Sequence, residues 1–174
     1  QGVVAAIAAG TAFFTLQDGS TGCISNPSQL FTIHAKPTIS LIGPSQICIG
    51  STTNLSPTTG GAWISNQPTI ASINNSGVVS GLNSGNATFS FTQNSTGCTS
   101  DGIVTVTVNT KPAITSDFNT LCVGATNTLS PTSGGTWTSL NPSIASVTAS
   151  GVVTGLQQGI TRFTFTSASS GCTS

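Results

Sequence analysis

GGAWISNQPTIASINNSGVVSGLNSG, residues 60–85, returns as GGTWTSLNPSIASVTASGVVTGLQQG at residues 134–159. Over the longer ranges 60–100 and 134–174, 23 of 41 positions are identical at a constant offset of 74. The opening QGVVAAIAAG matches part of the same motif at an offset of 75. Self-similarity at a fixed period is typical of repeat architectures. The chain therefore contains parts of three copies of one sequence unit.

Each boundary between the copies carries a Lys-Pro pair, Lys36–Pro37 and Lys111–Pro112, which follows an alternating run. Proline fixes its own φ and favours extended backbone at the preceding residue, so we expect stiff junctions. We define the first repeat as residues 1–36, the C-terminal part of a unit; the second as residues 37–111, a complete unit; and the third as residues 112–174, a unit without its last strand.

Because both ends fall inside a unit, the pattern favours a segment of a longer tandem array. The alternative is that a neighbouring chain supplies the missing last strand.

The periodicity inside the second repeat is that of β-strands. ATFSFTQ places Phe89 and Phe91 on one face, and GIVTVTVNT places Val104, Val106 and Val108 on one face. The turn-forming runs PTTGG, NNSG and GLNSG separate the strand-like runs, and no helical apolar stripe is present. This pattern predicts an all-β sandwich of antiparallel sheets. We expect strands near residues 38–42, 46–49, 52–56, 61–65, 70–73, 77–81, 86–93 and 102–109.

The chain has very few charges: three Lys or Arg and three Asp or Glu, or 3% of its 174 residues. Soluble domains usually carry about 25% charged residues. The net charge of zero and the lack of a basic cluster disfavour nucleic acid and anionic lipid as partners. A neutral surface of Ser, Thr, Asn, Gln and Gly permits close self-association. The apolar run VVAAIAAGTAFF has 12 residues, fewer than the ~20 of a spanning helix, so we expect no membrane insertion in this segment.

Residues capable of catalysis are sparse. General acid-base chemistry needs groups held within hydrogen-bond reach, whereas Asp18 and Asp101 fall in separate repeats, where we expect each to bond its own turn backbone. No cysteine pair has a zinc-type spacing, and His34 is the single histidine. The sequence therefore predicts no enzyme activity, no cofactor and no metal site.

Trp63 and Trp137 each follow a Gly-Gly turn on a predicted central strand. A large ring at this position can fill the space between two sheets, so both are predicted core residues.

The combination of GGAWISNQPTIAS, SGVVSGL and GNATFSF resembles the group 2 bacterial immunoglobulin-like repeat of invasin- and intimin-type surface proteins. The cysteines in QICIGSTTNLS and STGCTS make the chain similar to repeats of large Bacteroidetes surface adhesins and gliding-motility proteins. The resemblance implies tandem immunoglobulin-like antiparallel β-sandwiches. It also implies a role in cell-surface stalks or fibres rather than catalysis.

Five cysteines suggest an oxidising, extracellular setting and are the disulfide candidates: Cys23, Cys48, Cys98, Cys122 and Cys172. In one arrangement, Cys48–Cys98 and Cys122–Cys172 close loops within single repeats. If the family sandwich applies, however, Cys48 and Cys98 lie at opposite ends of a strand roughly 23 Å long, and disulfide Cα atoms lie within about 7 Å. The second arrangement therefore joins Cys48 to Cys172 and links one repeat to the next. Both arrangements stay open at this point.

Two hypotheses for function follow. In the first, the repeats are structural modules of an extracellular filament or adhesin stalk, and their partners are further copies of the same repeat. In the second, one face of a module binds a glycan or receptor directly. Exposed aromatic residues would favour the second hypothesis, and Phe118 is the candidate for that role.

Overall fold

The computed structural model describes residues 2–174, so Gln1, the first residue of the predicted first repeat, lies outside the described residues. Within this range the chain forms fifteen short β-strands and no helix. The first repeat contains β1 (Gly10–Ala12) and β2 (Phe31–Ile33). The second contains β3 (Ser40–Leu41), β4 (Gln46–Cys48), β5 (Thr52–Ser56), β6 (Gly61–Ser65), β7 (Ala71–Ile73), β8 (Val78–Gly81), β9 (Gly85–Gln93) and β10 (Val104–Asn109). The third contains β11 (Thr126–Thr128), β12 (Gly135–Ser139), β13 (Ala145–Val147), β14 (Val152–Gly155) and β15 (Phe163–Ser167).

The second repeat is a sandwich of two four-stranded sheets with the strand orders β4-β10-β9-β6 and β3-β5-β8-β7. All pairings in it are antiparallel except the parallel pairing of β4 with β10. The predicted all-β class is confirmed, and the eight predicted strands of this repeat all form within two residues of their expected bounds.

Alternation along β9 and β10 produces the core of this sandwich. Phe89, Phe91, Val106 and Val108 point inward and are buried, while the intervening threonines and serines are more exposed. They pack with buried residues of the opposite sheet, among them Leu55. The sandwich is therefore held together mainly by apolar burial along its longest strands.

A glycine is required where the turn before β8 touches the neighbouring strand. Gly77 has φ +77°, and a Cβ at this position would lie 2.3 Å from the Leu55 carbonyl oxygen. Gly151 repeats this arrangement against Leu129, with φ +82°. The two turns explain why the glycine of SGVV recurs in both repeats.

The third repeat has strand counterparts of β5 to β9, whereas the counterpart of β3 is reduced to a single bridge between Thr115 and Ser130. Its sheets are β12-β15 and β11-β14-β13. The positions corresponding to β10 would fall after Ser174. Without that strand, residues 120–122, which correspond to β4, are not a strand, and β15 begins at Phe163 rather than at residue 159, where the counterpart of β9 would begin.

The first repeat is a two-stranded hairpin whose register matches that of β9 with β10. Gly10 pairs with Ile33 as Gly85 pairs with Val108, at an offset of 75 for both residues. The hairpin therefore has the register of the last two strands of the second repeat.

Candidate functional site: the disulfide junction between repeats

Cys48 of the second repeat and Cys172 of the third repeat form a disulfide, although 124 residues separate them in sequence. Their Cα atoms lie 5.6 Å apart, an ordinary separation for a disulfide. Of the two arrangements left open by the sequence, the structure contains the one that links successive repeats. Cys172 is fully buried in this junction.

Strand β4 brings Cys48 to the junction. β4 runs parallel to β10, with Cys48 opposite Asn109, so the cysteine lies at the end where the chain leaves the second repeat. The Asn109 carbonyl accepts a hydrogen bond from the Ile49 amide at 3.0 Å and lies 4.0 Å from the Cys172 sulfur. The disulfide therefore packs directly on the backbone that connects the two repeats.

A tight turn after β15 presents Cys172. The Ser167 amide donates to the Cys172 carbonyl, and the Gly171 amide donates to the Ser167 carbonyl, both at 2.9 Å. The same two hydrogen bonds recur in the turns that carry Cys23 and Cys98. The turn is therefore a property of the unit, whether or not its cysteine is bonded.

The remaining candidates, Cys23, Cys98 and Cys122, are free thiols, and Cys23 and Cys122 are exposed. Cys122 has the local backbone of Cys48, because its carbonyl accepts from the Ala125 amide at 3.0 Å as the Cys48 carbonyl accepts from the Ser51 amide at 2.9 Å. The chain thus contains one closed junction, while Cys98, the counterpart of Cys172, and Cys122, the counterpart of Cys48, are unbonded among residues 2–174.

The junction between the first and second repeats has an ion pair instead of a disulfide. The Lys36 ammonium contacts the Asp101 carboxylate, and the two side chains are 57% and 76% exposed. This contact differs from the expectation that Asp101 bonds its own turn, and it was not predicted from the sequence. The sequence does contain a signal for this ion pair, because Lys36 and Asp101 are two of only six charged residues.

Asp18, in contrast, bonds its own turn as expected. Its carboxylate accepts from the Ser20 amide at 2.7 Å. The Ser20 hydroxyl, followed by the backbone amides of Ser20 and Thr21, lowers the pKa of this carboxyl below its usual value.

Trp63 and Trp137 are each 6% exposed and lie between the sheets. The indole of Trp63 donates to the Pro57 carbonyl and that of Trp137 to the Pro131 carbonyl, both at 2.9 Å. Each ring centroid lies 5.1 Å from that of a phenylalanine on the paired strand. The PT-x-GG-x-W motif therefore contains both the Gly-Gly turn and the proline whose carbonyl accepts the indole hydrogen bond.

The described part of the chain, residues 2–174, contains no cluster of three or more His, Cys, Asp or Glu side chains placed to hold a metal ion. It also contains no helix that is long and apolar enough to cross a membrane. Phe118 is exposed and lines a groove on the third repeat, whereas His34 is exposed on the strand end of the first repeat.

Comparison with solved structures finds likeness to the S-layer protein SbsC. Its domains 4 and 5 are 17% identical, with a TM-score of 0.36, over 80% of this chain and 96% of that chain. A structure of its domains 1–6 is 14% identical, with a TM-score of 0.37, over 99% of this chain and 35% of that chain. The chain thus spans about a third of the longer structure.

A search of the curated proteins finds no match. The sequence profile of the bacterial Ig-like domain (group 2) family matches residues 103–173, from the start of β10 through the turn that carries Cys172. The resemblance drawn from the Trp, SGVV and Phe-x-Phe motifs is thereby confirmed for this segment. Residues 103–173 are thus similar to a bacterial Ig-like domain of group 2.

Proposed function

We propose that the repeats are structural modules of an extracellular filament or long cell-surface stalk, in which disulfides between successive repeats limit bending and extension. The disulfide Cys48–Cys172 is the observation that carries this proposal. A bond within one repeat would stabilise only that repeat. A bond between repeats adds a second covalent connection beside the Lys111–Pro112 backbone.

The path of force supports a mechanical role. Tension applied at the ends of the chain reaches Cys48 and can pass through the disulfide to Cys172, so residues 49–171 are shielded from extension. Both sandwiches lie mostly inside this shielded loop. The disulfide therefore limits the maximum extension of the pair of repeats.

Surface chemistry and cysteine chemistry support the proposed location. Disulfides persist in oxidising compartments, which include the cell surface. A surface with 3% charged residues lets neutral modules lie close to one another without electrostatic repulsion. The group 2 Ig-like family match at residues 103–173 is consistent with a cell-surface module.

Single-molecule force spectroscopy on the chain held at its two ends tests the proposal. With the disulfide intact, we expect no release of residues 49–171. After reduction, or in the double variant Cys48→Ser/Cys172→Ser, the 124-residue separation should release about 450 Å of additional contour length at about 3.6 Å per residue.

The matched control is Cys98→Ser/Cys122→Ser, which also removes two sulfurs but leaves the junction disulfide in place. This variant should extend like the unmodified oxidised chain. Equal extension of the oxidised chain and of the Cys48→Ser/Cys172→Ser variant would refute the mechanical role.

A further inference from the structure

The disulfide between Cys48 and Cys172 passes over two other cysteines. Cys98 and Cys122 lie between the bonded pair in sequence, and 124 residues separate that pair. The entropy lost on closing a loop grows with the logarithm of the loop length. In an unfolded chain, Cys48 would therefore meet Cys98, which is about 50 residues away, about four times as often as it meets Cys172. Proximity along the chain thus favours a bond that the structure does not contain.

The folded second repeat excludes the Cys48–Cys98 bond. Cys48 lies opposite Asn109, at the end of the repeat where β9 begins. The Cys98 carbonyl accepts a hydrogen bond from the Gln93 amide, where β9 ends. A strand the length of β9 spans roughly 26 Å, whereas disulfide Cα atoms lie within about 7 Å. A chain that has formed Cys48–Cys98 therefore cannot complete the second repeat.

The backbone that presents each bonded cysteine does not need the disulfide. The turn that carries Cys172 has the same two hydrogen bonds as the turns that carry Cys23 and Cys98, whose thiols are free. Cys48 is held by the pairing of β4 with β10. Folding of the reduced chain therefore builds both halves of the junction before any sulfur is oxidised.

We propose that the Cys48–Cys172 disulfide closes only on folded repeats, and that any earlier bond between Cys48 and Cys98 must be reopened by thiol–disulfide exchange before the second repeat can fold. The chain is then a substrate for disulfide exchange as well as for oxidation. The inference concerns how the bond is made and does not depend on the proposed mechanical role.

The order of the repeats along the chain favours this sequence of events. All residues of the second repeat, 37–111, precede Cys172, and its buried core is drawn from residues 47–108. During synthesis from the N-terminus, this repeat can bury its core before Cys172 is present. Folding then holds Cys98 away from Cys48, so the Cys48 thiol stays free until Cys172 arrives.

Both steps balance with glutathione as the reactant. In closure, the Cys48 thiolate attacks oxidised glutathione, and the Cys172 thiolate then attacks the Cys48 sulfur of the mixed disulfide. Two protein thiols are oxidised, and one glutathione disulfide is reduced to two thiols that take up the two protons. In reopening, a glutathione thiolate attacks the Cys98 sulfur of Cys48–Cys98, which releases the Cys48 thiolate and leaves glutathione bonded to Cys98.

Competition among three thiols tests the proposal. The variant Cys23→Ser/Cys122→Ser replaces two exposed thiols and leaves Cys48, Cys98 and Cys172. The reduced variant is treated with oxidised glutathione either folded or in urea, quenched with acid, and mapped by peptide mass. We expect about four times as much Cys48–Cys98 as Cys48–Cys172 from the unfolded chain, and almost exclusively Cys48–Cys172 from the folded chain.

Three outcomes of this competition would overturn the proposal. These are a majority of Cys48–Cys172 from the unfolded chain, comparable amounts of the two bonds from the folded chain, and failure of the folded chain to form Cys48–Cys172.

A second variant tests whether the early bond blocks folding. Cys23→Ser/Cys122→Ser/Cys172→Ser leaves only Cys48 and Cys98, so oxidation in urea produces that bond alone. After urea is removed, the second repeat should stay unfolded until a reductant is added, as read from Trp63 fluorescence in a Trp137→Phe background. The reduced form of the same variant is the matched control and should fold at once. Equal folding of the two forms would contradict the proposal.

A pair of glycine variants tests whether the preformed turn directs closure. Gly171 precedes Cys172 with φ +69°, Gly97 precedes Cys98 with φ +71°, and a Cβ at either position would meet no atom within 4 Å. Valine strains the backbone at such angles. In the folded three-cysteine variant, Gly171→Val should slow formation of Cys48–Cys172 several-fold, whereas Gly97→Val should leave the rate unchanged. Equal rates in the two variants would show that the folded turn does not direct closure.

Discussion

The second and third repeats share their motifs but differ along one side of the sandwich, and the comparison separates local from long-range causes of structure. On the tryptophan side the two are alike: Trp63 and Trp137 have equal exposure, equal indole hydrogen bonds and equal distances to a phenylalanine ring. On the opposite side, where the third repeat has no counterpart of β10 among residues 2–174, the counterpart of β9 is shorter and those of β3 and β4 are not strands. Short-range turns and pairings therefore form without β10, whereas edge strands depend on a neighbour that is remote in sequence.

The largest expected effect comes from replacing one phenylalanine in each repeat with alanine. Phe89 is fully buried against β10, so Phe89→Ala should destabilise the second repeat by about 3–5 kcal/mol. Phe163 is only partly buried, so Phe163→Ala should cost the third repeat about 1–2 kcal/mol.

Urea unfolding can measure the two repeats separately, because each contains one tryptophan. The Cys48→Ser/Cys172→Ser background uncouples the repeats, and replacement of either tryptophan by phenylalanine leaves a reporter for the other. Equal losses at the two positions would mean that β10 does not determine the difference.

Alanine at the glycine before each tryptophan strand should lower the stability of the two repeats by equal and smaller amounts. A Cβ on Gly61 would lie 2.2 Å from the Thr92 carbonyl oxygen, and one on Gly135 would lie 2.2 Å from the Thr166 carbonyl oxygen. Both sites lie on the tryptophan side, away from the groove. Gly61→Ala and Gly135→Ala should therefore each destabilise their own repeat by about 1–3 kcal/mol.

The same urea assay measures this pair, and Gly102→Ala in the second repeat, whose Cβ would meet its nearest atom at an ordinary 3.8 Å, is the control. A difference above about 1 kcal/mol between Gly61→Ala and Gly135→Ala would show that the loss of β10 also loosens the tryptophan side.

The parts of the fold that the sequence predicts are those with local signals. Alternation in ATFSFTQ and in GIVTVTVNT predicts β9 and β10, and the Gly-Gly-x-Trp spacing predicts the buried rings. The shortening of β15 has no local signal, because its cause is the space beside it. The disulfide partners of Cys48 stay ambiguous in sequence for the same reason, since the choice depends on which ends of the two sandwiches meet.

The ion pair Lys36–Asp101 gives the smallest expected effect and contrasts the two junctions. The disulfide connects the second and third repeats covalently, while this pair connects the first and second through two exposed side chains. Exposed ion pairs contribute at most about 1 kcal/mol. A double-mutant cycle with Lys36→Gln and Asp101→Asn should therefore give a coupling below about 1 kcal/mol in the unfolding free energy of the second repeat.

Salt dependence decides whether this coupling is electrostatic. It should be measurable at about 0.01 M salt and vanish at about 1 M, where the Debye length falls from about 30 Å to about 3 Å. A coupling that persists in high salt would instead indicate that the Lys36 stem packs against the second repeat. In that case the first junction would resemble the second in having a fixed contact beside the backbone. If the coupling vanishes, the disulfide is what distinguishes a locked junction from one held only by its Lys-Pro backbone.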